Sequence, residues 1–441
     1  MEAVYYAARA NLRRLLMQYP SWTRPQYAQA VGMSVGWVKK WIKRLREALP
    51  EDEAVLHSQS RARKHPPARI SQVVVDRLLE MRDQPPEGLR RTPGPKALLY
   101  YLPRDADLVG SGERLPRSSR TIYRILQQAG RICGRRPHHQ EPCERPAPMR
   151  QWQVDFKDAS TVPREAEGKQ QHVVEVLNTI DMGTSILVAA QVGADFTAQT
   201  TLQAVAELLR TQGRPQVLTF DRDTRFVSSP QGSDFPSALV RFCYCLGVAV
   251  RLCDPHSPQQ NGFVERYHRT YQEECLAVQR PHSLEQVREV TAQFKQHYNF
   301  ERPHQGLSCG NRPPRSAFPN LPDLPALPEV VNPDRWLDSC DGLSVVRTVS
   351  RHGMVSIDLK DYYVGRALAG QRVALHLSAN ARAWIVIQGT QVLKTLPLKG
   401  LYGAALPFER FVEFMMGQAL AEQRLRTAQQ RRARHGPFSS P

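Results

Sequence analysis

Nowhere in its 441 residues does the chain carry an apolar run approaching the roughly 18 residues that cross a bilayer. Its start, MEAVYYAARANLRR, is basic and amphipathic and has no apolar signal core. A membrane-spanning protein and a secreted precursor are therefore not expected, and the N-terminus reads as mature, soluble protein. Cysteine is sparse, eight residues without paired spacing, which argues against a disulfide framework and for free thiols in a reducing cytosol. No internal repeat is visible. Acidic residues are in deficit, 42 against 60 Lys and Arg, for a net charge of +18. Such an excess selects polyanionic partners. Without an amphipathic anchor or lipidation signal, nucleic acid fits better than a membrane.

The charge is uneven. Residues 1–148 hold 27 Lys and Arg against 14 Asp and Glu, so this third of the chain supplies +13 of the total. The length calls for two to four domains. Composition divides the chain into a helical module at 1–60, a second at 70–132, a Pro-containing linker at 133–150, an alternating strand and helix region at 151–315, a Pro-rich linker at 316–334, a strand-rich region at 335–402 and a basic helical tail at 403–441.

In TRPQYAQAVGMSVGWVKKWIKRLREAL, Tyr27, Ala28 and Val31 form one apolar face and Gly32 ends that helix. Ser34 caps the next, whose Val35, Val38, Ile42 and Leu45 recur at helical spacing. Helix, short Gly-containing turn and helix make the helix-turn-helix pattern. Lys39, Lys40, Lys43 and Arg44 fall on the outer face, suited to DNA phosphates or base edges or simply to a solvated surface. A second such unit follows, with Arg120 and Arg124 outward on the capped helix SSRTIYRILQQAG.

Residues 151–270 read as strand, hairpin, helix, strand, helix, strand, helix, a mixed sheet covered by helices. Three carboxylates stand at element ends: Asp155 on the first strand opposite Trp152, Val154 and Phe156; Asp221 at the end of VLTF; and Glu265 in the first turns of a helix. Ligands of such sheets gather at strand ends. Converging carboxylates repel one another, and divalent cations relieve the repulsion. Mg2+ prefers oxygen ligands, and two such ions about 4 Å apart clamp both oxygens of a phosphoryl transfer. Mn2+ can substitute. Asp158 reads as a loop residue, Asp181 as support for the hairpin turn, and Tyr267 with Tyr271 as packing. His256 reads as a turn residue, Asn261 as a helix cap, and Gln260 as a loop amide able to touch DNA. Arg266 and Arg269 fit phosphates or a solvated helix face. The Cys133–Cys143 segment has the wrong spacing for zinc and reads as disordered linker.

The stretches DFK, FDRDTRF, SPQQNGFVERYHRT and YNFERPHQGL resemble the DDE transposase and retroviral integrase superfamily, especially bacterial insertion-sequence transposases, over about residues 150–315. The resemblance implies an RNase H-like core with two Mg2+ ions, hydroxyl attack on a DNA phosphodiester, and Asp155, Asp221 and Glu265 as its acids. Two departures are visible. Asp221-Arg222-Asp223 replaces the common Asp-Asn-Gly, and 43 residues separate Asp221 from Glu265, a longer gap than the family usually shows. The Gly, Ser and Pro of residues 227–237 suit a loop insertion that accounts for the surplus.

By the same resemblance the strand-rich region would be a small Src-homology-3-like β-barrel, with Arg347, Arg351, Lys360, Arg366, Arg372 and Lys394 available to DNA. The expected protein is a bacterial, cytoplasmic, nucleoid-associated transposase. It would bind double-stranded element ends and target DNA, and cleave and join strands as a homo-oligomer in a synaptic complex. The need for an ATPase helper is left open. The alternatives are an RNase H-like nuclease without strand transfer and a transposase-derived DNA-binding regulator.

Overall fold

A computed structural model describes residues 2–58, 69–85, 92–132, 145–159, 174–227, 234–255 and 257–434. His256, the Cys133–Cys143 segment and most of the expected loop insertion lie outside these residues. The chain separates into two units, Met1–Arg69 and Ile70–Pro441.

The first unit packs α1 (Glu2–Gln18), α2 (Arg24–Val31) and α3 (Val35–Glu47). Thr23 and Gln26 form a capping box at α2, and Gly32 closes it at φ 68°, a left-handed conformation that glycine adopts without a steric cost. The Ser34 hydroxyl accepts from Trp37 N at 3.2 Å and starts α3. The seam differs from the expected one by a single turn. Val35 is 45% exposed, and Trp41, 4% exposed, takes its place beside Val38 and Ile42 against Leu12, Leu15 and Tyr27. Arg9 is also buried: it lies 4.5 Å from the Trp41 ring and donates to Leu56 O.

The second unit begins with α4 (Gln72–Asp83), α5 (Pro95–Tyr101) and α6 (Ser119–Gln128) around Val74, Leu78, Leu98, Ile122 and Leu126. Ser118 caps α6 by accepting from Thr121 N.

There follow β1 (Gln151–Asp158), β2 (Glu175–Asp181), β3 (Leu187–Gly193), α7 (Ala198–Gln212), β4 (Val217–Phe220), α8 (Ala238–Cys245), β5 (Ala249–Leu252) and α9 (Gly262–Tyr271). The sheet order is β3-β2-β1-β4-β5. β1, β2 and β3 are antiparallel, whereas β4 runs parallel to β1 and β5 parallel to β4. Helices cover both faces, because β1 alternates: Trp152 and Val154 meet Leu202, Leu209 and Phe242, and the odd positions face α9. On that second face Val264, Tyr267 and Tyr271 pack against Val176, Ile180 and Leu187. The two tyrosines are packing residues, with stacked rings 5.8 Å apart. In the β2–β3 turn, Asp181 accepts from Thr184 N at 2.8 Å and from its hydroxyl at 2.6 Å. Asp158 belongs to β1 rather than to the following loop.

α9 runs through a π-turn (Gln272–Leu276) into α10 (Ala277–Gln279). α11 (Leu284–Gln296) ends in a second π-turn (His297–Glu301), ahead of α12 (Pro314–Ala317). These irregular turns build the YNFERPHQ stretch into the scaffold. Asn299 exchanges two hydrogen bonds with the backbone of Leu187 on the edge strand β3. Arg302 donates in bidentate fashion to Glu274 at 2.7 and 2.9 Å, with both side chains under 10% exposed. Arg302→Ala would strand a buried carboxylate. It is expected to cost about 3–5 kcal/mol, seen as a lower urea midpoint at unchanged slope.

The C-terminal region departs from expectation. β6 (Val330–Val331) pairs with β13 (Leu406–Pro407), and β7 (Ser344–Thr348), β10 (Arg372–Ser378), β11 (Ala383–Gln388) and β12 (Gln391–Pro397) form an open sheet in the order β12-β11-β10-β7. β8 (Met354–Ile357) and β9 (Lys360–Tyr363) stand apart as a hairpin, so no closed barrel forms among the described residues. The open sheet is not an isolated core either. Trp384 stacks on Phe235 at 5.6 Å, within one apolar cluster that includes the α7 and α8 face of the central sheet. α13 (Phe408–Arg434) is likewise no solvated tail in its first half. Phe411, Val412, Met415 and Ala419 are buried in that cluster, with Phe411 stacked on Phe242 at 5.4 Å. Several cations expected on DNA are engaged internally: Arg347 pairs with Asp234, Lys360 donates to Lys399 O, and Lys394 donates to Tyr363 O. No described helix is long and apolar enough to cross a membrane.

Candidate active site

The pairing register decides where the first two acids lie. Val154 stands opposite Phe220 in the parallel β1–β4 pair, so Asp155 and Asp221 are the next residues along neighbouring strands. Glu265 follows in the first turn of α9, which packs on β1 and β2, and its side chain is exposed. Asp155 is mostly buried. Burial, and after it the charges of Asp221, Glu265 and Asp223, push its carboxyl up to about 7, against a lowering hydrogen bond from Phe156 N. Burial also raises Asp221, assisted by Asp223 and opposed by the Asp223 N–H and Arg225. Asp221 and Glu265, remote in sequence, thus both act electrostatically on Asp155.

Asp223 is held differently. Burial alone would push it up, but Arg225 outweighs this by donating to both carboxylate oxygens, at 2.9 and 2.7 Å, and keeps it below the usual range. Arg225 also pairs with Glu175, and its guanidinium lies 3.7 Å from the centre of the Phe156 ring. Of the two aspartates in the Asp221-Arg222-Asp223 turn, Asp223 is therefore committed to a cation and Asp221 acts more strongly on Asp155. Arg222 turns aside to donate to Cys253 O.

His268, one turn beyond Glu265, places Nδ1 3.7 Å from Asp155, while its Nε2 lies 3.1 Å from Asn178 Nδ2. Burial, with Lys157 adding to it, lowers His268 to about 3, so the ring is neutral and the contact is not an ion pair. With Nε2 accepting from Asn178, the remaining ring proton sits on the nitrogen facing Asp155. The sequence gives one hint of this: His268 lies three residues from Glu265 and so on the same helix face.

The expected DNA contacts around α9 are rearranged. The Gln260 side chain is occupied by Asp254, accepting from its N–H and donating to its carboxylate, each at 2.8 Å. Asn261 occupies the N-cap position but makes no side-chain cap bond, and it is 4% exposed. Arg266 and Arg269 are exposed. In the helical modules Lys39, Lys40, Lys43, Arg120 and Arg124 are exposed, whereas Arg44 stacks over Trp41 at 4.9 Å.

As a donor set, the trio offers only hard carboxylate oxygens around a buried, mutually repelling pair, which suits Mg2+ or Mn2+ and not a thiolate-seeking metal. Among the described residues no three Asp, Glu, His or Cys side chains already stand at metal-holding spacing.

The central fold is a five-stranded mixed sheet covered by helices on both faces. Residues 246–314 match the integrase core domain family. The chain is 27% identical over 194 residues to an uncharacterized 31.7 kDa protein of insertion element IS407 from Burkholderia multivorans, covering 42% of this chain and 65% of that protein. It is 35% identical over 100 residues to an uncharacterized 39.2 kDa protein of insertion element IS476 from Xanthomonas euvesicatoria, covering 22% and 28% respectively. The chain thus spans less than two thirds of either relative. Among solved structures, the magnesium-bound HTLV-2 integrase catalytic core domain is similar at 13% identity and a TM-score of 0.28, over 39% of this chain and 97% of that one. A simian T-cell lymphotropic virus intasome in complex with a PP2A regulatory subunit is similar at 14% identity and 0.31, over 69% and 97%. Likenesses this loose transfer no function. The chain is thus similar to the integrase core domain family over residues 246–314 and to proteins of bacterial insertion elements.

Proposed function

We propose that the chain is a DNA transposase that cleaves element ends and joins them to target DNA, with Asp155, Asp221 and Glu265 holding the catalytic Mg2+ ions. The observation that carries this reading is the placement of Asp155 and Asp221 side by side on neighbouring parallel strands, with the carboxyl of Asp155 raised by burial and by the other acids. When bound, two Mg2+ ions would favour attack by a water or 3′-hydroxyl oxygen and stabilise the leaving oxygen. In each step a new P–O bond forms as an existing P–O bond breaks, so no covalent protein–DNA bond is required. Asp155 and Asp221 supply fixed oxygens from the sheet, and Glu265 supplies a mobile one from α9. Asn178 holds the neutral His268 ring beside Asp155, and Arg225 keeps Asp223 from competing for the cation.

The helix-turn-helix face of α3 would read or hold the element ends. Joining two ends requires a dimer or larger assembly. Replacing Lys39 and Lys40 together with Ala should weaken binding of end DNA and lower the slope of log K against log salt by about 2, since each phosphate contact contributes about 0.9. An unchanged slope would remove α3 from the DNA interface.

Incubating the protein with end-containing DNA, a target plasmid and Mg2+ tests the activity. A transposase gives joined products, an RNase H-like nuclease gives cleavage alone, and a regulator gives bound but intact DNA.

A further inference from the structure

We propose that Gln153 is a positioning residue that clamps the start of α9 to β1 and so sets Glu265 against Asp155. The inference rests on the reading above that these acids bind the metal. Gln153 is 1% exposed and lies two residues before Asp155, on the same face of β1. Its Nε2 donates to Gln260 O at 2.7 Å, and its Oε1 accepts from Phe263 N at 2.9 Å and Val264 N at 3.1 Å. A terminal amide has two donor hydrogens and two acceptor lone pairs, so three of four valences are used on one short segment. Two N–H groups demand the oxygen and one carbonyl demands the nitrogen, which fixes the orientation of the amide.

The helix needs this partner. The first N–H groups of any helix lack an internal acceptor, and a side chain at the N-cap normally supplies one. Asn261 occupies that position and makes no cap bond, its Oδ1 being buried without a partner among the described residues. The cap instead comes from a strand more than a hundred residues earlier in the sequence. Val264 is the residue immediately before Glu265, so the bond that caps the helix also fixes where the third acid leaves it.

Packing alone would not set this register. Val264, Tyr267 and Tyr271 hold α9 on the sheet through apolar surface, which tolerates small slides and rotations. The directional bonds of Gln153 resist such slides. An acidic residue at 153 would keep both acceptor contacts but lose the donor to Gln260 O, and asparagine would be one methylene too short.

The test compares the full-length wild type with Q153M, which conserves volume and deletes the amide, and with E265Q. Mn2+ binding is measured directly by electron paramagnetic resonance, alongside cleavage of end DNA at saturating Mn2+. Q153M is expected to raise the Mn2+ dissociation constant at least tenfold and to slow cleavage at least tenfold, with end-DNA affinity changed less than twofold. A folded Q153M that binds Mn2+ and cleaves as the wild type does would overturn the proposal. If E265Q weakens Mn2+ binding and Q153M does not, the clamp fails alone; if neither does, the metal-site reading fails. Hydrogen exchange of the wild type tests the clamp without any substitution. The Phe263 and Val264 amides should be protected, and exchange as fast as that of a solvent-exposed, unbonded amide would refute it.

Discussion

Glu265→Gln should abolish both cleavage and strand joining, a loss of at least about a thousandfold on the scale of deleting a principal electrostatic contact to a reacting phosphate, while end-DNA binding stays within a factor of about two, since the separate helical modules are untouched. The substitution keeps the size of the side chain and removes its charge. Glu265 is exposed on α9 and has no part in the apolar packing there, so the fold should be unaffected. Asp155→Asn and Asp221→Asn should behave alike, because the proposed site needs all three acids and losing any member removes its function. Asp223→Asn should differ. Its carboxylate is tied to Arg225, so the variant should lose stability and keep measurable cleavage. Single-turnover cleavage of labelled end DNA, with a filter-binding assay in parallel, distinguishes these outcomes. Wild-type cleavage by E265Q would remove Glu265 from the site.

The second large effect concerns pH. Burial first, and the neighbouring acids after it, raise Asp155 to about 7, and Asp221 moves in the same direction. Protons and a divalent cation compete for the same oxygens. The half-saturating Mg2+ concentration for cleavage should therefore fall about tenfold for each pH unit gained below 7 and level off above it. At saturating Mg2+ the pH dependence should flatten. In metal-free protein the sign for stability is the reverse of the usual carboxylate case. The folded state holds this proton more tightly than the unfolded state does, so this group's contribution is fully present below about 4 and is lost as pH rises to about 7. His268 stays neutral across this window, since its proton leaves near 3. A half-saturating Mg2+ concentration that is constant from pH 6 to 8 would contradict the account.

Local features were readable from the sequence because local rules govern them. Ser34 and Ser118 cap helices through their own hydroxyls, and Gly32 ends one by taking a left-handed conformation. The positions of Asp155 on a strand and of Asp221 at the end of one follow from the alternation of QWQVDF and the short apolar run VLTF. Partner choice across the tertiary structure was not readable. Nothing local marks Gln260 for Asp254, Arg225 for Glu175, or Gln153 for the start of α9. Trp41, whose ring also packs on Arg9, lies in the α3 seam, whereas Val35 does not. The resemblance implies a closed barrel for the strand-rich region, yet strand patterning is the same in an open sheet whose apolar face continues into a neighbouring core. The C-terminal charge run likewise concealed the apolar first half of α13.

The central claim is that Asp155, Asp221 and Glu265 share a divalent cation. Anomalous scattering from crystals of the full chain grown with end DNA and Mn2+ tests it most directly. The account predicts a Mn2+ peak within about 2.0–2.3 Å of an oxygen from each of the three side chains, on the scale of bonds from oxygen ligands to small divalent ions. A Mn2+ ion held by Asp223 in place of Asp221, or no peak among these acids in DNA-bound, cleavage-competent protein, would contradict it.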